Sequence, residues 1–136
     1  MHVNLLAVGA SAVASMIIGS IWYGPLFGKT FIAAMGMDKW SPEKQAHMKK
    51  SMTLTYVWQF IASLVMFYVF ARFVVGLNLL SVLGGVTTAF WVWIGFVVPL
   101  KLGDALWGGK MTLFWIGIGA SGVTLLATGL IIGAMR

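Results

Sequence analysis

Four apolar runs without internal charge, apart from Arg72 near one end, constrain this chain more than any other feature: roughly Val3 to Tyr23, Met52 to Phe73, Leu80 to Leu100 and Met111 to Met135. At about 1.5 Å per residue each run reaches or exceeds the roughly 30 Å hydrocarbon layer of a bilayer. Transmembrane strands are shorter and alternate in polarity, so a barrel does not fit. The balance of residues agrees, since 60% are hydrophobic, 9% are charged and mean hydropathy is +0.96. That lies well outside the range of soluble domains. With 136 residues there is room for one domain, and the expectation is an all-α integral membrane protein, one compact four-helix bundle over residues 1–136.

The net charge of +6 reads as topology rather than as nucleic-acid binding, because the basic residues stand between the runs or at their ends. Lys29, Lys39, Lys44, Lys49 and Lys50 fall in the first connection and Lys101 and Lys110 in the third. Only Arg72, Arg136 and the terminal amine fall on the opposite side. The excess predicts cytoplasmic first and third loops with both termini outside, in a multi-pass protein of a bacterial inner membrane. Met1-His2-Val3-Asn4 lacks a basic stretch, and the run behind it is longer than a signal-peptide core, so the first run is expected to remain as a helix. Zero cysteines removes disulfides and thiolate chemistry without fixing a compartment.

In the first connection Ser41-Pro42-Glu43 offers an N-cap, a proline suited to the first helical position and a first-turn acid. A helix over 41–51 is expected to run directly into the second span. Its lysines would form a basic collar beside anionic lipid headgroups.

The first span carries Ala7, Ser11, Ser15 and Gly19 at four-residue spacing with Ala10 and Ala14 beside them, and the fourth carries Gly129 and Gly133 in a GxxxG arrangement. Both are surfaces for close helix approach, inside the bundle in preference to between copies. No Asp, Glu, His or Lys stands at mid-depth in a span, which disfavours ion coupling and metal binding. Gln59 and Trp93 lie about seven residues, near 10 Å, from the cytoplasmic ends of their spans. An indole N–H away from water seeks an acceptor, so a Trp93 to Gln59 bond is expected. With Ser15 and Trp91 this cluster is either a staple between helices, the favoured reading, or the lining of a small cavity.

Around the cytoplasmic rim stand Trp22, Tyr23, Pro25 and Lys29 on one side and Asp104, Trp107, Gly109 and Lys110 on the other. An interfacial aromatic belt explains them more readily than a ligand site, and Asp104 is expected to pair with Lys101 or Lys110. A short internal echo joins Pro25-Leu26-Phe27-Gly28-Lys29 to Pro99-Leu100-Lys101 and Leu106-Trp107-Gly108-Gly109-Lys110. Duplication and shared interface chemistry both account for it. No second convergent group supports catalysis, and no cofactor or metal is expected.

Gly19-Ser20-Ile21-Trp22-Tyr23-Gly24-Pro25-Leu26-Phe27-Gly28-Lys29, Trp93-Ile94-Gly95-Phe96-Val97-Val98-Pro99 and Leu106-Trp107-Gly108-Gly109-Lys110 together resemble the bacterial domain-of-unknown-function family 1761 across essentially the whole chain. The resemblance implies a compact four-helix membrane protein of bacteria and supplies no catalytic residues. Small multidrug exporters are a poorer fit, because they rely on a carboxylate in the first helix, where this chain has Ser11, Ser15 and Gly19. The sequence favours a noncatalytic homo-oligomer or accessory subunit of a larger membrane assembly. The rival is an uncoupled channel or carrier for a small neutral or lipophilic ligand, with a path past Ser15, Gln59, Trp91 and Trp93.

Overall fold

A computed structural model describes residues 3–108 and 110–135. Met1, His2, Gly109 and Arg136, which entered the charge and rim patterns, lie outside the described residues. Among the described residues the fold is entirely helical: α1 (Leu5–Ile21), α2 (Gly28–Met35), α3 (Pro42–Gly76), α4 (Val82–Val92), α5 (Val98–Gly108) and α6 (Met111–Ala134). Short π-helical segments join α1 towards α2 (Trp22–Leu26) and α4 to α5 (Trp93–Val97), and a 3₁₀ turn (Met37–Lys39) precedes α3. Counting these continuations, four helices are long and apolar enough to cross a membrane: Leu5–Leu26, Pro42–Gly76, Val82–Gly108 and Met111–Ala134.

Local chemistry sets the helix ends. Asn4 accepts at Oδ1 from the amides of Leu6 (3.0 Å) and Ala7 (3.2 Å), and its amide donates to the Met135 carbonyl, tying the start of α1 to the end of α6. Ser41 caps α3 by accepting from the Lys44 amide at 3.2 Å, with Pro42 in the first turn. The helix predicted over 41–51 and the second span are therefore one continuous helix of 35 residues, about 50 Å long. Its far end closes through a left-handed residue, Asn78 at φ 57°, where the Leu79 amide reaches the Val74 carbonyl at 2.9 Å. Asparagine tolerates that conformation better than other side chains, which lets the chain reverse into α4.

α6 is the hub, half of its apolar span being buried against 11% for the span Val82–Gly108. α4 crosses it most closely. A Cβ on Gly129 would stand 2.3 Å from the Gly85 carbonyl oxygen, one on Gly85 2.2 Å from that of Gly129, and one on Gly133 2.1 Å from that of Ser81. The GxxxG pair thus works inside the chain, backbone against backbone. α1 packs on the other side of α6, and α3 packs on α1 through Ser63, Phe67, Phe70, Ala71 and Val74, meeting Ala7, Val8 and Ala12. A second, smaller core of Ala105, Phe114 and Ile118 closes the opposite end of the bundle beneath Trp93.

One expectation changes here, the end of the third span, read from the sequence near Leu100. Pro99 does not end the third span, which continues to Gly108 and carries Lys101 on its flank instead of in a loop. The reason is the π-helical segment ahead of it, which resets the hydrogen-bond ladder where a proline has no N–H to give. Burial on α3 is confined to its second half. From Pro42 to Ala62 no side chain is buried, and only Met48 and Phe60 are half-buried.

Candidate functional site: two tryptophan clamps at the basic end

At the bundle end holding Lys29, Lys101 and Lys110, two segments share one local design. Trp22-x-Gly24 and Trp93-x-Gly95 each open a π-helical turn, and in each the amide five residues on, Phe27 or Val98, donates to the tryptophan carbonyl. A π turn inserts one residue into a helix and swings the following side chains round the axis, a distortion common at functional sites. Pro25 lies inside the first turn and Pro99 just past the second.

Both indoles point at α6. Trp22 Nε1 donates to the Ile116 carbonyl at 3.0 Å and Trp93 Nε1 to the Ile118 carbonyl at 2.9 Å. Glycines make the floor for them, since a Cβ on Gly119 would fall 2.6 Å from Trp22 Cζ2 and one on Gly122 3.0 Å from Trp93 Cε2. Trp22 also packs at 5.2 Å on Phe27, and Tyr23 meets Phe31 edge-on at 5.0 Å. The Tyr23 hydroxyl and the Lys101 ammonium both lie over Gly117, 3.9 Å and 3.5 Å from where its Cβ would be.

The Trp93 to Gln59 bond is therefore corrected: the acceptor is a backbone carbonyl of α6. Gln59 lies on α3 with its side chain exposed, and only its carbonyl is engaged, accepting from Ser63 Oγ at 2.9 Å. Trp91 is 65% exposed on the far face of α4, so it lines nothing with Trp93. Two residues apart on a helix is the wrong spacing for one face. Ser15 is half-buried, donates to the Ala12 carbonyl at 2.7 Å and stands 3.5 Å from Ser63 Oγ. A hydroxyl has one proton, and each of these two serves its own helix first. The cluster Ser15, Gln59, Trp91 and Trp93 is thus dispersed, and Ser63, which sequence reasoning passed over, takes the place across from Ser15.

The rim divides as well. Trp22 and Tyr23 turn inward to α6, Pro25 and Lys29 are exposed, and Trp107 is 95% exposed. Lys101, Asp104 and Lys110 line an open cleft of about 400 Å³ with Ala105, Gly108, Leu113 and Phe114. Among the described residues Asp104 forms an ion pair with neither lysine, contrary to expectation, though all three line the cleft. In the packing stripe Ala7 and Ser11 are buried, Ser15 and Gly19 half-buried, and the space beside Gly19 is open.

Among the described residues no three His, Asp or Glu side chains come together as a metal-ligand set. The paired W-x-G pattern was the available sequence signal for the clamps. Gly117 and Gly122, with Ala120, Ser121 and Thr124, mark the fourth span as a surface for close approach, but no signal in the sequence names them, or Gly119, as the receivers of these side chains.

Comparison with curated proteins and with solved structures found no match. The two clamps and the glycine crossing of α4 on α6 fall within residues 6–133, which match the model of a family described as protein of unknown function (DUF1761), and the chain belongs to that family.

Proposed function

We propose that the chain is a noncatalytic subunit of a bacterial inner-membrane assembly and acts by lateral helix packing, with a second copy or with another membrane protein. One observation carries this reading. The α3 stripe Phe70, Phe67, Ser63 continues at helical spacing through Gln59, Tyr56 and Met52, yet these three are exposed, Tyr56 by 51% and Met52 by 40%. Apolar side chains can face acyl chains without penalty, but a carboxamide can form no hydrogen bond with them. In a bilayer Gln59 therefore calls for a polar partner on a neighbouring helix, a type of contact worth about 0.6–2 kcal/mol. The stripes that sequence alone offers for oligomerisation support no outer contact, because Gly129, Gly133, Ala7 and Ser11 are consumed within the chain.

The rival reading as an uncoupled channel or carrier draws no support from the dispersed Ser15, Gln59, Trp91 and Trp93. Orientation follows the basic residues: Lys29, Lys39, Lys44, Lys49, Lys50, Lys101 and Lys110 belong to the clamp end, which faces the cytoplasm under the positive-inside rule.

The test uses the absence of native cysteine. A single cysteine at Gln59 or Tyr56 is oxidised in native membranes, with one at Trp58, 63% exposed and turned about 100° round the helix from Gln59, as the control. Cross-linking at Gln59 and Tyr56 but not Trp58, to itself or to one reproducible protein, is the expected result. Equal cross-linking at all three positions, or none, together with a monomeric mass in mild detergent, would sink the reading.

A further inference from the structure

Lys101 is unlike the other lysines. It sits on α5 two residues after Pro99, half-buried against α6, with its ammonium in the space that Gly117 leaves open. An ammonium carries three donors, yet no acid or carbonyl of the described residues takes one, since no hydrogen bond or ion pair of Lys101 exists among them. A cation on the flank of an apolar helix is costly unless paired, so its partner is to be sought outside the chain.

Lys101 also lines the cleft of about 400 Å³ described above. Lys110, at the start of α6, lines the same space, as does Asp104, one helical turn beyond Lys101. Two cations exceed one acid, so the cleft selects an anion, while the carboxylate asks for a donor next to that anion. Beneath the charges Leu113, Phe114 and Ala105 form an apolar floor. The chemistry shared by these three demands is a phosphate ester with a neighbouring hydroxyl or ammonium and an apolar tail.

We infer that this cleft is a binding site for a glycerophospholipid, its phosphodiester held between Lys101 and Lys110, its headgroup donating from a glycerol hydroxyl or an ethanolamine ammonium to Asp104, and its acyl chain lying on Leu113 and Phe114. A choline headgroup has no donor for Asp104 and is discriminated against. The site rests on the membrane placement proposed above and is independent of the subunit role.

The full chain is placed in nanodiscs of phosphatidylglycerol, phosphatidylethanolamine and phosphatidylcholine in equal parts, and the lipid retained on release is read by native mass spectrometry. A single phosphatidylglycerol or phosphatidylethanolamine per chain is expected to survive in preference to phosphatidylcholine. K101Q should lower that occupancy about tenfold, the scale of one lost charge-assisted hydrogen bond. K101R should retain it, and D104N should erode the discrimination against choline. The double variant K49Q/K50Q, on the exposed part of α3, should behave as the unaltered chain.

Retention without headgroup preference overturns the site, as does equal loss in K101Q and K49Q/K50Q, or no loss in K101Q. Glycerophosphoglycerol, the same headgroup without acyl chains, binding as tightly as phosphatidylglycerol would assign the cleft to a soluble anion and overturn the lipid. K110Q provides the second reading should K101Q fail to elute as a folded species. Resistance of the same samples to carbonate extraction separates failure of the site from failure of the membrane placement.

Discussion

At the scale of single residues, the α6 glycines do different jobs, and substitution sorts them. Gly129→Ala drives a methyl into the Gly85 carbonyl, and neither backbone can step aside by changing a rotamer. A loss of about 1–3 kcal/mol is expected, read as a lower thermal midpoint in detergent. Gly9→Ala meets nothing within 4 Å and should gain about 0.5–1 kcal/mol from helix propensity. If the two changes cost the same, the close crossing of α4 and α6 is wrong. Trp93→Phe and Trp22→Phe each remove one indole donor from a carbonyl and should each cost about 1 kcal/mol. The sequence made Trp93 visible because an indole at its depth needs an acceptor. It could not name Ile118, because every carbonyl looks alike in a sequence and depth says nothing about which way round the helix a side chain points. Gln59, at matching depth on α3, was the polar side chain in view, while Ser63 one turn away carried the contact to Ser15.

At the scale of elements, what is encoded within a few residues was legible and what depends on a change of helical register was not. Ser41-Pro42-Glu43 announces the start of α3, because capping is a local exchange of one side-chain oxygen for one amide. Ser41→Ala should therefore cost about 1 kcal/mol, read as faster hydrogen exchange at the amides following Pro42 with the α4–α6 crossing unaffected. The π-helical turns left no such signature, and Pro99 reads as a stop when it is a passenger in a helix running to Gly108. These turns fix where the basic end points. Deleting Phe96 should restore an α-helical register and rotate α5 by about 100°, carrying Lys101 off Gly117. Circular dichroism should then keep its helical amplitude while the K101-dependent lipid retention disappears. Retention unchanged by the deletion would show that the π turn does not place Lys101.

At the scale of the molecule, the helices are unequal. α6 is the most buried, α1 and α4 pack on it, and α3 leans on α1 by only half its length, with the basic residues crowded where α3 stands alone. Four long apolar helices and the gathering of lysines between them were legible, since they follow from hydropathy and from the positions of the basic residues. The order of packing was not, because apolar periodicity is blunted when lipid and neighbouring helix are equally hydrophobic. The charge division gives the molecule a direction that can be tested as a whole. A cysteine replacing Lys39 should react with a membrane-impermeant maleimide only after the cytoplasmic side is opened, and one replacing Asn78, in the turn between α3 and α4, should react from outside in intact spheroplasts. Neutralising Lys29, Lys39, Lys44, Lys49 and Lys50 together leaves Lys101 and Lys110 against Arg72, Arg136 and the terminal amine. With the cytoplasmic excess gone, the two cysteines should then each be labelled from both sides, as a mixed population. Single-sided labelling surviving that change would mean that the clamp end is held inside by something other than its charge.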